Sequence, residues 1–277
     1  MVYCPSMETL NQLQPFWLGV LGAVVAGFFG TAIGGVPVVA VRVLPARTGN
    51  ALLSFAAGVM LAATFFSLLL PALELAREEA GARVPAAIGV IVGLSIGGLV
   101  MAGAHRVAPH EHFGRGREGP HVERIRRVWL FVIAIAIHNF PEGLATGVAA
   151  GNPAPHMPDE LPGLGVVIGI GLQNIPEGLA VAVGLLSLGH SRAQAFLVAA
   201  ATGLIEVVGG VAGAAAVSAS HALLPWALAF AAGAMLFVIS HEIIPETHAP
   251  ESGGTIIATI ALFIGFAVML FLDHTLG

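Results

Sequence analysis

The sequence predicts an all-α polytopic membrane protein with eight transmembrane helices, and three observations carry that prediction. Hydrophobic residues make up 57% of the 277 and charged residues only 10%, whereas soluble domains carry about 25% charged residues. Eight continuous apolar runs reach the roughly 20 residues that a spanning helix needs. They are too long and too unbroken for the alternating strands of a barrel. Two of the runs carry a glutamate-proline pair at their centre, "IHNFPEGL" at 137–144 and "LQNIPEGL" at 172–179, where neither residue is expected without a function.

The spans fall near 16–41, 49–73, 86–104, 128–150, 163–188, 193–217, 222–247 and 255–272, so residues 1–277 form one transmembrane domain. The residues before Phe16 lack the basic start of a signal peptide, so the first run is expected to be a retained span. The single Cys4 excludes an internal disulfide. The net charge of −5 gives no sign of a nucleic-acid partner. All basic residues are arginines. With the N-terminus outside, Arg42, Arg47, Arg106, Arg115, Arg117, Arg124, Arg126, Arg127 and Arg192 fall on inward loops. Only Arg77 and Arg83 fall on outward ones. The positive-inside rule therefore predicts both termini outside and a cytoplasmic His/Arg loop at 105–127.

The chain repeats itself. "FAAGVML" at 55–61 precedes Pro71, and "FAAGAML" at 230–236 precedes Pro245. Spans two and seven run in opposite directions, as do four and five, which is the pattern of an inverted repeat with a site near the midplane. Small residues at four-residue spacing, such as Gly93 and Gly97 or Gly143 and Gly147, suit close helix packing.

On a helix, His138, Asn139 and Glu142 share one face, and Gln173, Asn174 and Glu177 repeat that geometry one span later. Pro141 and Pro176 free the carbonyls of Ile137 and Leu172. Glu206 adds a third carboxylate near the centre of span six, and no arginine lies deep with the three acids. Three uncompensated charges would cost roughly 8–10 kcal/mol on insertion scales. A bound cation removes that cost, and His138 beside the acids points to a transition metal. Imidazole with carboxylate suits Zn²⁺, and also Cd²⁺, Fe²⁺ or Mn²⁺. Met60 is placed to lend a thioether. "SHEIIPETH" ends span seven, and Glu242 lies about 10 Å cytoplasmic of mid-span by helical rise. His241, Glu242, Glu246 and His248 are therefore expected to form an inward exit path. The loop motif "HEH" at 110–112 is placed to hold metal inside, and Glu74 beyond Pro71 is placed to gather cations at the outer mouth.

These residues leave three functions open: a divalent-metal transporter, an intramembrane metallohydrolase, and a proton or monovalent-cation transporter. "HNFPEG" at 138–143, "QNIPEG" at 173–178, Glu206 and "HEIIPETH" at 241–248 resemble the ZIP (Zrt/Irt-like) family of divalent-metal transporters, across all eight spans. The resemblance implies a bacterial inner-membrane protein, not an enzyme, that moves Zn²⁺ and similar ions toward the cytosol. It implies a 3+2+3 helix arrangement and an assembly compatible with a homodimer. It also implies two metal positions, one held by Met60, His138, Glu142, Gln173 and Glu177, the other by Asn139, Glu142, Asn174, Glu177 and Glu206. Spans one, four, five and six would move against the rest. Many relatives carry His in place of Gln173, and some carry Asp in place of Asn174.

Overall fold

The computed structural model describes residues 7–40, 44–107, 110–112, 116–118, 127–151, 163–249 and 255–276. Cys4, Arg42, Arg115, Arg124 and Arg126 lie outside these residues. Among the described residues, seven helical stretches are long and apolar enough to cross a membrane: Gln14–Val39, Arg47–Ala80, Arg83–Val107, Leu164–Ser187, Arg192–Ala219, Leu224–Thr247 and Thr255–Leu276. A further helix of 24 residues, Arg127–Ala150, carries the first glutamate-proline pair. A short hairpin departs from helix inside the expected cytoplasmic loop. Its strands β1 (His110–His112) and β2 (Gly116–Glu118) pair antiparallel, with His110 opposite Glu118.

The helices are α1 (Met7–Ala23), α2 (Gly30–Gly35), α3 (Ala46–Ala62), α4 (Leu70–Ala80), α5 (Arg83–Val107), α6 (Arg127–Ala150), α7 (Leu164–Ser187), α8 (Arg192–Ala219), α9 (Leu224–Val238), α10 (Ile244–Thr247) and α11 (Thr255–Leu276). The second span runs on to Ala80, past its expected end at 73. Arg77 is therefore on a helix and not on a loop. Gly81 stops it, with φ +64 and its N–H on the carbonyl of Arg77 at 3.0 Å, a left-handed cap that glycine adopts without strain. α8 opens with a capping box, in which Ser191 and Gln194 each bond the other's backbone N–H, satisfying two N–H groups that the helix start leaves over.

Three spans contain a wide π turn: Val24–Phe29 joins α1 to α2, Ala63–Leu69 joins α3 to α4, and Ile239–Ile243 joins α9 to α10. The last two end just before Pro71 and Pro245. A proline has no N–H for the carbonyl four residues back, here Ser67 and His241. The wide turn lets the chain re-register around that missing bond. Ser67 also donates its hydroxyl to Asp273 of α11. Pro141 and Pro176, by contrast, sit inside continuous α-helix.

Packing rests on glycine. A Cβ on Gly58 would run into the carbonyl oxygen of Leu262, and one on Gly265 into that of Phe55, so α3 and α11 interlock reciprocally. α5 and α9 do the same through Gly97 against Phe230 and Gly233 against Leu94. α6 and α8 meet through Gly143 against Glu206 and Gly209 against Phe140. α2 and α7 meet through Gly34 against Ile175 and Gly178 against Thr31. In each pair backbone meets backbone, the approach that small residues permit in lipid, where no hydrophobic force drives helices together. Isoleucine, valine and phenylalanine side chains such as Val84, Ile88, Ile91, Phe263 and Phe271 project outward.

Gly58→Val or Gly97→Val should push these helices apart and cost about 1–3 kcal/mol, the usual toll of overpacking. A melting curve of each variant in detergent should show the loss. An unchanged midpoint would mean that the helices have room for a side chain at these contacts.

Candidate metal centre

Glu206 is the most firmly held of the expected acids. It lies between two glycines: Gly143 lets α6 press on its backbone, and a Cβ on Gly27 would come 2.9 Å from its Oε2. The π turn around Gly27 thus makes room for a carboxylate. Three donors converge on it. Asn139 Nδ2 reaches Oε1 at 3.2 Å, Asn174 Nδ2 reaches Oε2 at 2.8 Å, and the Thr31 hydroxyl reaches Oε1 at 3.5 Å. Asn139 Nδ2 also donates to the Thr202 carbonyl at 3.3 Å, and Asn174 Nδ2 to the Ala26 carbonyl at 2.9 Å. Both amides therefore spend their N–H groups on Glu206 and the backbone, which turns their oxygens the other way.

Among the described residues, Asn139 Oδ1, Asn174 Oδ1, both carboxylate oxygens of Glu142, and Oε1 and Nε2 of Gln173 are buried with no partner at hydrogen-bond geometry, and the Gln173 amide lies beside the Glu142 carboxylate. Glu142, Gln173 and Asn174 are 0% exposed. Leaving such a group unpaired costs about 1–3 kcal/mol, more for a charge. Glu177 and Glu206 lie within electrostatic reach of Glu142, and His138 lies within reach of Glu177. The site is thus rich in buried acceptors and poor in donors. A donor set of this kind suits a metal cation, which takes several oxygen lone pairs and offsets negative charge. Met60 is completely buried, in the same apolar cluster as Ile170 of α7.

A second group lies beside this one. Glu242, on the π turn after α9, bonds His138 Nε2 through Oε2 and His105 Nε2 through Oε1. One ligand atom from each of the three residues lies within 4.8 Å of the others. An ionised carboxylate only accepts, so both imidazoles donate to it. His138 thereby belongs to both groups: it faces Glu242 and sits one helical turn before Glu142 on α6, about 6 Å by rise. His105 lies one residue past the expected end of its span at 104, so the sequence reading passes over it. α5 continues to Val107, and Gly93, Gly97, Met101 and His105 are all buried along it. That four-residue stripe is the signal for a buried imidazole.

The remaining expected residues separate. The His241 ring is exposed and stacks on Phe237, centroids 4.9 Å apart. His248 Nε2 meets the Thr259 hydroxyl of α11 at 3.1 Å, so it faces the last span. Glu246 is half-buried on α10, and Glu74 is exposed on α4, outside the central group. His110, Glu111 and His112 form β1, but their side chains lie outside the described residues.

Helices long and apolar enough to cross a membrane, with carboxylates and amides buried among them, define an integral membrane protein with a polar interior. The ZIP zinc transporter family model matches residues 104–273. The zinc transporter ZIPB of Bordetella bronchiseptica is 45% identical over 252 residues, covering 91% of this chain and 79% of that protein. The zinc transporter GufA of Myxococcus xanthus is 42% identical over 259 residues, covering 94% and 99%. The zinc transporter ZIP11 of Xenopus tropicalis is 35% identical, covering 81% and 87%. The chain belongs to the ZIP family, alongside its bacterial members.

Asn139→Ala and Asn174→Ala each take a donor from the buried Glu206 and should destabilise the metal-free protein by about 1–3 kcal/mol. Each also removes an acceptor oxygen, so zinc should recover less stability than in the unaltered chain. Thermal melts with chelator and with added Zn²⁺ check both effects.

Proposed function

We propose that this protein transports Zn²⁺ across the bacterial inner membrane toward the cytosol. The observation that carries this is the set of buried, unpartnered oxygens of Asn139, Glu142, Gln173 and Asn174 in a chain of the ZIP family. The relatives named above are all zinc transporters by name, which favours transport over a metallohydrolase. Cd²⁺ would fit the same ligands.

The proposed architecture has eight spans, with α6 as the fourth, in a 3+2+3 inverted repeat. The reciprocal glycine pairs support it. Exchanging spans one, two, three and four with six, seven, eight and five turns the α3–α11 contact into α9–α5, and the α2–α7 contact into α8–α6. The distribution of arginines supports the orientation, with both termini outside.

The mechanism follows from the ligands. An ion arriving from outside exchanges water for the oxygens of Glu142 and Glu177, whose charges offset the cost of dehydration. Glu142 and Glu177 serve both metal positions, one completed by Met60, His138 and Gln173, the other by Asn139, Asn174 and Glu206. Since Glu206 is already held by three donors, the position it serves is the more rigid and the less readily loaded. Release proceeds through His138. Its imidazole already touches Glu242, so an ion on Glu142 has a next ligand one turn away, with His105 beyond. Taking the ion requires the two imidazoles to turn from donors into ligands by losing the Nε2 proton or changing tautomer. By the first route a proton leaves as metal arrives; by the second the proton moves to Nδ1 and none is released. His241 and Glu246 continue the path inward, and Glu74 serves the outer mouth.

Glu142→Ala and Glu177→Ala should each abolish Zn²⁺ flux into liposomes and remove tight equilibrium binding. Glu242→Ala and His105→Ala should keep that binding and slow flux about tenfold. Titration calorimetry and a zinc-sensitive dye, used on the same preparations, separate the two effects. Loss of tight binding in Glu242→Ala would place that residue in the primary cage.

A further inference from the structure

The last two turns of α5 and the end of α9 enclose an open groove of about 580 Å³ that borders the proposed exit path at His105 and His241 and opens away from it. Its floor is Leu99, Ala102, Gly103 and Phe237, and its rim is Arg106 with the rings of His105 and His241. Leu99 is 71% exposed, so the floor opens sideways onto lipid. A Cβ on Gly103 would meet nothing within 4 Å, so the slot is open beside that residue. Arg106 stands in the last turn of the helix and is exposed. The His105 and His241 rings meet edge to face at 5.3 Å. An apolar slot about two helical turns deep, roughly 10 Å, therefore ends in a cationic rim.

We infer that this groove holds one anionic phospholipid, its phosphate on Arg106 and an acyl chain along Leu99, Gly103 and Phe237. Two features select that occupant. The slot continues into the bilayer, which suits an acyl chain and gives nothing to a free phosphate. The rim is basic, and the proposed orientation sets it at the cytoplasmic leaflet, where basic pockets between helices take anionic headgroups. The inference rests on that orientation for the leaflet, and on the groove alone for the lipid. It has a functional meaning, because His105 is a wall of the groove and also a partner of Glu242. A phosphate on the rim adds negative potential next to the residues by which the ion leaves.

Native mass spectrometry of the full-length protein, equilibrated with equal phosphatidylglycerol and phosphatidylethanolamine, tests it. The unaltered protein should retain phosphatidylglycerol over phosphatidylethanolamine by about fivefold, the factor expected of one basic side chain at a membrane surface. Arg106→Glu should abolish the preference by reversing the rim charge. Gly103→Trp should abolish it by filling the slot with the charge intact. Arg77→Gln, at the opposite end of the bundle, should leave it unchanged. Glycerol phosphate in solution should not displace the lipid. Equal retention of both lipids, an unchanged preference in Arg106→Glu and Gly103→Trp, or displacement by glycerol phosphate would each overturn the inference. Failure of zinc transport with the lipid preference intact would count against the proposed function and leave this site standing.

Discussion

A carboxylate cannot be left alone inside a bundle of apolar helices. Burying it unpaired costs more than most single contacts in a protein supply, and here three approach one another with no arginine among them. Much of the structure serves to solve that problem. Glycines bring α6, α7 and α8 close enough for amides on one helix to reach a carboxylate on another. A π turn at Gly27 makes the room that Glu206 fills. The solution is partial: Glu206 receives three donors, whereas beside Glu142 lies the amide of Gln173, short of hydrogen-bond geometry among the described residues. In the proposed function, that difference divides the site into a part the protein completes by itself and a part left for a cation to complete.

On the proposed path, the same division would let a tight site still let go. If Glu142 and Glu177 were as fully donated to as Glu206, they would have little affinity for metal. If nothing lay beyond them, the ion would stay. His138 resolves this by position, one turn from Glu142 and in contact with Glu242. The wide turn at Ile239–Ile243 carries Glu242, and Pro245 follows it where the missing N–H leaves the His241 carbonyl without its helical partner.

Much of the site is legible in the sequence because an acid inside an apolar run is costly and persists where it has a function. The faces carrying His138, Asn139 and Glu142, and Gln173, Asn174 and Glu177, follow from helical spacing alone. What helical spacing does not give is lateral contact. Rise along α9 sets Glu242 about 10 Å from mid-span, yet its carboxylate reaches His138 of α6, a lateral contact that rise alone does not describe. His105 is hidden for a different reason. The arginine beside it reads as the start of a loop, although the buried stripe through Gly93, Gly97 and Met101 continues straight to it. Two of the π turns are signalled only by the prolines that follow them, the turn at Val24–Phe29 has no such signal, and the extension of α4 to Ala80 depends on Gly81 as its stop.

X-ray absorption at the zinc edge of the loaded, purified protein tests the oxygen-rich cage most directly, since it reads the atoms around the ion. The expected shell is dominated by oxygen and nitrogen at about 2.0–2.2 Å, with at most one sulfur from Met60. The same spectrum from Glu142→Ala should show zinc lost or held only weakly. A sulfur-dominated shell, or an unaltered shell in Glu142→Ala, would contradict the assignment of Glu142 and its neighbours as the metal centre.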